Sequence, residues 1–291
     1  MIKKYNKILK YSISTISIIF FLFLVIQNLN EFKKLKIDLL YFLIFVISFI
    51  FRHFALTYVE WKMLSNLKVK VNFYEYLIEN NLANLINITS PLKVGAGKKL
   101  LFLKENFNVK TVEYFAIFTT LNIHLAVIFF TIFFFGLLYI NLINFQLIYI
   151  YLVSLLIILY IINKFKKSRI FKLLIIENYL SWKNQKIFWS YTFWILVSIS
   201  FGILQTYFLI LAIFQFENLI GSLFINSATF FANIIQLSPG NIGFLELIYF
   251  SLDKIINLNS IQIIIYSSII RVTSISIFLL LNFLLLNLKK I

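Results

Sequence analysis

The stretch "ANIIQLSPGNIGFLELIYF", Ala232–Phe250, interrupts a chain that is otherwise almost continuously apolar. It holds one of the two prolines, two of the seven glycines and a carboxylate, Glu246. A helix that breaks inside an apolar run frees backbone N–H and C=O groups. In hydrocarbon such groups are tolerated only where they face protein or a wet cavity. The stretch therefore predicts an interrupted membrane segment turned toward a polar interior.

Its surroundings fit a membrane. Hydrophobic residues make up 61% of the 291, well above the roughly half-apolar usage of soluble domains, and the mean hydropathy is +0.92. Runs long enough to cross a ~30 Å hydrocarbon core fall at about 11–29, 38–58, 112–139, 142–163, 187–214 and 260–287. Two more apolar stretches, about 73–92 and 219–256, are interrupted. The expectation is an all-α polytopic membrane protein. It has one integral membrane domain, residues 1–291, with about six full spans and two Pro/Gly-broken re-entrant or half-helix segments.

Charge sets an expected orientation. The net charge of +16 comes from lysines between the spans, where Lys and Arg mark cytoplasmic loops and favour anionic headgroups. Nucleic acid is not an expected partner of such a pattern. "MIKKYNKILK" and the basic loops Lys62–Lys70, Lys93–Lys110 and Lys164–Lys186 fall inside, which puts both termini in the cytoplasm. "EFKKLK" (Glu31–Lys36) falls outside on this count despite its three lysines. The first segment is long and has no small-residue cleavage site, so it reads as a retained span. The chain has no cysteine, which excludes disulfides and thiol chemistry. With only two histidines, no metal site and no cofactor are expected.

"ANLINITSPLKVG" (Ala83–Gly95) resembles "ANIIQLSPGNIG" (Ala232–Gly243). With one gap, both read Ala-Asn, an aliphatic pair, an amide, an aliphatic, Ser-Pro, three residues and Gly. The prolines are 239 − 91 = 148 residues apart, about half the chain. On the lysine-derived orientation the two segments enter from opposite sides. They would then belong to inverted repeat halves of about 38–139 and 187–287. Broken segments at corresponding places in two halves point to a binding site near the bilayer midplane.

Ionisable groups inside spans cost roughly 2.5–3.5 kcal/mol each on insertion scales and are functional candidates by default. Arg271 lies near the middle of the last span, and Glu246 three residues beyond Gly243. Either the two neutralise each other and fix the fold, or Arg271 serves an anionic phosphate with Glu246 orienting it. Lys93, Lys98 and Lys99 follow the first break and suit either a phosphate or the positive-inside pattern. For Arg52 and His53 the expected role is snorkelling from the cytoplasmic end of the second span. For His124, beside Asn122, it is a hydrogen bond between helices. Asn233 completes the repeated Ala-Asn pair. No metalloprotease motif, aspartate-rich motif or nucleotide loop is present.

"SPGNIGFLE" (Ser238–Glu246) resembles the Pro-Gly-Gly-Leu-Gly-(x)-x-Glu signature of the flippase-like family. That family is related to the transmembrane domain of lysylphosphatidylglycerol synthases, the multiple peptide resistance factors. Pro239, Gly240, Gly243 and Glu246 match, Asn241 replaces the second glycine, and Arg271 falls where the family carries an arginine. "SPLKVGAGKK" resembles the family's Pro-x-Arg-x-Gly-Glu-x-x-Arg segment: Pro91 and Gly95 match, Lys93 and Lys99 keep the charge, and Ala96 replaces the glutamate. "EWKML" is similar to its Trp-containing segment through Trp61.

The resemblance implies a multi-pass inner (plasma) membrane protein that moves or binds lipid headgroups. Its partners would be anionic phospholipids or polyprenyl-phosphate-linked lipids. Lysyl transfer is not expected, because the synthases' aminoacyl-transferase unit is separate and the sequence ends at Ile291. Two other expectations stand beside this: a non-catalytic subunit working with lipid or glycan biosynthetic enzymes, and a membrane enzyme acting on headgroups.

Overall fold

The computed structural model describes residues 26–66, 69–90, 93–139, 185–235 and 238–288, together with positions 19 and 23. Among these residues all regular structure is helical: α1 (Leu29–Lys33), α2 (Leu39–Asn66), α3 (Phe73–Thr89), α4 (Val94–Phe107), α5 (Thr111–Tyr139), α6 (Gln185–Phe214), α7 (Leu219–Ile235), a 3-10 turn (Pro239–Asn241), α8 (Phe244–Ser251), α9 (Asp253–Ile256) and α10 (Ser260–Leu288). Four helices are long and apolar enough to cross a membrane: α2, α5, α6 over Phe188–Phe214, and α10. The span expected at about 142–163 lies outside the described residues, as does nearly all of that at about 11–29.

Polar residues start these helices. Asp38 Oδ1 accepts from the N–H groups of Leu40 (2.9 Å) and Tyr41 (3.3 Å) at the head of α2. Asn72 accepts from Tyr74 at 2.9 Å before α3, and Asn218 from Gly221 at 2.8 Å before α7. Asn259 and Gln262 exchange two bonds of 2.9 Å in a capping box before α10. Each side-chain oxygen satisfies an N–H that the helix itself leaves orphaned.

The helix pattern recurs. Helices of 28, 17 and 29 residues (α2, α3, α5) are followed by helices of 30, 17 and 29 (α6, α7, α10). A Ser-Pro break follows each 17-residue helix. The breaks also share backbone geometry. Ser90 (φ −126°, ψ 148°) and Ser238 (φ −124°, ψ 164°) are both extended, as a following proline demands. Two residues beyond each proline, Lys93 (φ 55°) and Asn241 (φ 54°) are both left-handed. Pro91 itself lies outside the described residues.

α2 and α6 run antiparallel. Asp38 N–H donates to the Ala212 carbonyl (3.0 Å), Phe51 stacks on Phe201 (5.1 Å between centroids) and Tyr58 packs on Trp194 (5.0 Å). The first helices of the two three-helix series therefore point in opposite directions. The halves also interlock. Phe129 and Phe133 of α5 pack on Phe230 and Phe224 of α7 (4.6 and 5.0 Å). Correspondingly, α3 lies on α10, where the Tyr74 hydroxyl donates to the Leu285 carbonyl. Leu40, Leu43, Ile47 and Phe51 form an exposed stripe along α2, suited to lipid tails.

α2 continues to Asn66, beyond the expected end near residue 58. The extra turns are polar in composition but bury Val59, Met63 and Leu64, and Trp61 Nε1 donates to the Val71 carbonyl at 2.8 Å. At the first break α4 folds back closely on α3: a Cβ on Gly95 would lie 1.8 Å from the Ala83 carbonyl oxygen. Gly95→Ala is therefore expected to destabilise the protein by about 1–3 kcal/mol through overpacking. Gly97→Ala, with nothing within 4 Å of the new methyl, should leave the unfolding midpoint in detergent unchanged. Equal midpoints for the two variants would show that α3 and α4 are not in this contact.

Candidate functional site

The two breaks meet. Gly240 has φ +53°, and a Cβ there would sit 3.1 Å from the Ile88 carbonyl oxygen at the end of α3. Glycine alone suits both the left-handed backbone and the close approach. Ser238, fully buried, donates from its hydroxyl to the Ile242 carbonyl (2.7 Å), and Asn241 Nδ2 donates to Asn233 Oδ1 (2.8 Å). Local side chains thus take up part of the polar backbone that the break releases.

Glu246, in the first turn of α8, is fully buried. Its Oε2 accepts from Gly243 N–H (2.7 Å), completing a cap at the positive end of the helix,. Its Oε1 accepts from Arg271 Nη1 at 2.5 Å. Arg271 also reaches the Gly240 carbonyl through Nε (3.5 Å) and the Ser267 carbonyl through Nη1 (3.4 Å). One ion pair therefore joins α8, α10 and the break. The pairing anticipated from sequence is present, and with Glu246 buried behind it Arg271 still faces a cavity.

That cavity has a volume of about 400 Å³ and lies between α2, α3, α4, α5, α6, α7 and α10. Four cations line it: Arg52, Lys93, Lys99 and Arg271. Lys99, buried, donates to Glu60 Oε2 (2.7 Å) and Asn80 Oδ1 (2.8 Å), and Glu60 also accepts from the Tyr76 hydroxyl (2.8 Å). Lys93 holds its ammonium 4.7 Å from the centroid of the Phe118 ring, a cation–π geometry. Arg52 donates to Gln205 Oε1 at 3.1 Å. Among the described residues no carboxylate lies within ion-pair distance of Arg52 or Lys93. The lining thus carries two compensated cations and two uncompensated ones.

Of the residues singled out in the sequence, Arg52, Lys93, Lys99, Asn233, Gly240 and Arg271 come together on the cavity wall. Pro239, Gly243, Glu246 and Gly95 stand behind it and shape the breaks. Snorkelling does not describe Arg52 or His53. With α2 running to Asn66, Arg52 sits near mid-helix and faces the cavity, and His53 is buried against Asn81. His124 is apart from the site. It lies 3.3 Å from Thr192 Oγ1 and stacks on Phe188 (5.3 Å), linking α5 to α6 as a helix–helix partner.

Glu60, Asn80, Asn84, Asn122 and Gln205 also line the cavity; in the sequence Asn84 stood out only within the repeated Ala-Asn pair and Asn122 only beside His124, and the other three not at all. A carboxylate within "EWKML" was the available signal for Glu60. The amides were hidden by how often Asn and Gln recur along the chain.

Long apolar helices around a cation-lined cavity define a polytopic membrane protein. The family model described as lysylphosphatidylglycerol synthase TM region matches residues 7–281, and the chain belongs to that family. Membership ties it to membrane-lipid metabolism, and the matched region is the transmembrane one alone. Neither a curated protein nor a solved structure matches it.

Removing one partner of a buried pair strands the other's charge and costs about 3–5 kcal/mol. Arg271→Met should therefore lower stability by about that amount, while Arg271→Met combined with Glu246→Gln regains most of the loss. Chemical or thermal unfolding in detergent measures both. A double variant no more stable than Arg271→Met would argue against the pair.

Proposed function

We propose that this protein binds the anionic headgroup of a lipid in the cavity between the two helix breaks and passes it between leaflets, as a flippase-like translocase. The observation that carries the reading is the pair of uncompensated cations, Arg52 and Lys93, beside Lys99 and Arg271 on the wall of one cavity. Unpaired charge costs too much among membrane helices to persist without a counterion, and a phosphate supplies one.

In this reading Arg52, Lys93, Lys99 and Arg271 hold the phosphate, and Glu246 orients Arg271. Pro91, Gly95, Pro239, Gly240 and Gly243 shape the backbone hinges, and Asn233 lends a polar contact. The chain acts as one membrane domain of two inverted halves, whose broken segments open alternately to each side. It resides in the inner (plasma) membrane with both termini cytoplasmic, as the lysine pattern suggests. Its partners are anionic phospholipids or polyprenyl-phosphate-linked lipids, together with the biosynthetic enzymes that make or use them.

Flipping of headgroup-labelled anionic phospholipid and polyprenyl-phosphate probes in proteoliposomes tests this. Arg52→Gln and Lys93→Gln, each checked for folding, should slow transfer roughly ten- to hundredfold, the loss expected for one charge-assisted hydrogen bond. Equal rates for wild type and variants would mean nonspecific scrambling and end the proposal. No transfer of any probe would move the weight to a non-transporting subunit. A mass-shifted lipid product would reveal an enzyme instead.

A further inference from the structure

The cations select the sign of the ligand, but they are a minority of the polar lining. Amide side chains are more numerous: Asn80, Asn84, Asn87, Asn122, Asn233 and Gln205 all face the same space. They come from α3, α5, α6 and α7, so they surround the volume rather than mark one helix face.

Several keep hydrogen-bonding capacity. Asn122 uses an N–H on the Phe118 carbonyl (2.6 Å), Gln205 its carbonyl on Arg52 (3.1 Å) and Asn233 its carbonyl on Asn241 (2.8 Å). The Asn84 side chain makes no hydrogen bond among the described residues. An amide offers two N–H donors and an acceptor oxygen. The carbonyl of Asn122, the amino groups of Gln205 and Asn233 and both ends of Asn84 therefore remain. A phosphate has acceptors only and can use the donors alone. A hydroxyl both donates and accepts, so it can use either end of an amide.

The lining is equally informative about what it opposes. Glu60 is the one carboxylate that faces the cavity among the described residues, and Lys99 and Tyr76 already occupy its Oε2. An ammonium-bearing headgroup would meet Arg52 and Lys93 without a counter-charge, a juxtaposition that costs binding energy. The rings of Phe230 and Phe278 add apolar surface between the polar groups, suited to the C–H faces of a sugar or cyclitol.

We infer that the cavity recognises a polyhydroxylated phosphate, that is, a sugar- or polyol-phosphate headgroup, and discriminates against aminoacylated headgroups. This rests on the cavity being the headgroup site proposed above. The cations hold the phosphodiester, and the Asn84–Asn122–Gln205–Asn233 ring of amides reads the hydroxyls.

The test is saturable binding to the full chain in phosphatidylcholine nanodiscs, read by intrinsic tryptophan fluorescence. The probes are phosphatidylinositol, phosphatidate, lysylphosphatidylglycerol and soluble inositol phosphate. Phosphatidate carries more negative charge near neutral pH than a phosphodiester, so charge alone would favour it. The expected result is the reverse: phosphatidylinositol binds roughly tenfold or more tighter than phosphatidate, as a few hydroxyl contacts imply, and lysylphosphatidylglycerol does not saturate.

Asn84→Leu combined with Asn122→Leu should erase that preference while phosphatidate binding persists, which also shows that the variant is folded. A retained preference, or lysylphosphatidylglycerol binding as tightly as phosphatidylinositol in wild type, overturns the inference and leaves the headgroup site standing. No saturable binding of any anionic lipid, with soluble inositol phosphate also silent, overturns the site itself. Soluble inositol phosphate binding as tightly as the lipid supports the recognition chemistry and reassigns the ligand to a free polyol phosphate.

Discussion

A peptide group freed inside a membrane has no water to turn to, and this protein frees several at two places. Much else in the structure follows from satisfying them. The breaks are set against each other at Ile88 and Gly240, so that each shelters the other from lipid. Side chains do the remaining work: Asn87 accepts from Gly95 N–H (2.9 Å), Glu246 from Gly243 N–H, and Arg271 donates to the Gly240 carbonyl. Once polar groups converge there, the space between them is a cavity rather than a packed core. Charges that would be costly elsewhere in the membrane gather on its wall.

The two ion pairs of the site are arranged oppositely. In the first half the cation, Lys99, rides on the helix after the break, and its acid, Glu60, belongs to a long helix. In the second half the acid, Glu246, follows the break, and its cation, Arg271, belongs to a long helix. Both cations face the cavity while Glu246 is withdrawn behind it. The halves share a backbone plan but present different electrostatics, and the pairs by themselves leave the wall close to neutral. Arg52 and Lys93 make it positive.

Much of this was legible in the sequence. Length and apolarity placed α5, α6 and α10 within two residues at each end, because a hydrocarbon slab imposes a minimum length on whatever crosses it. The Ser-Pro pair fixed both breaks, since proline constrains the residue before it as well as its own N–H. Arg271 and Glu246 stood out because charge is rare in such a chain. What escaped was spatial. The end of α2 was misplaced because Glu60, Lys62 and Asn66 look like a loop until Glu60 is seen paired with Tyr76 of α3 and Lys99 of α4, and Asn66 with Tyr191 of α6. Arg52 passed for a headgroup-seeking cation for the same reason. The amides of the cavity carry no individual mark in a sequence where asparagine is common, and only the fold selects the few that converge.

The interlocking of the halves has a consequence for biogenesis. Tyr74 and Leu285, which meet where α3 lies on α10, are 211 residues apart. At synthesis rates of about 5–20 residues per second, α3 waits roughly ten to forty seconds for that partner. During this interval its apolar face and half-broken hairpin stand in the bilayer without the surface that finally covers them. Assembly therefore includes a loop closure of 211 residues,. A nascent chain stalled before α10 would expose the Tyr74, Leu77 and Ile78 side of α3 that Leu285 otherwise covers, the sort of apolar surface that membrane quality control can read as unfinished.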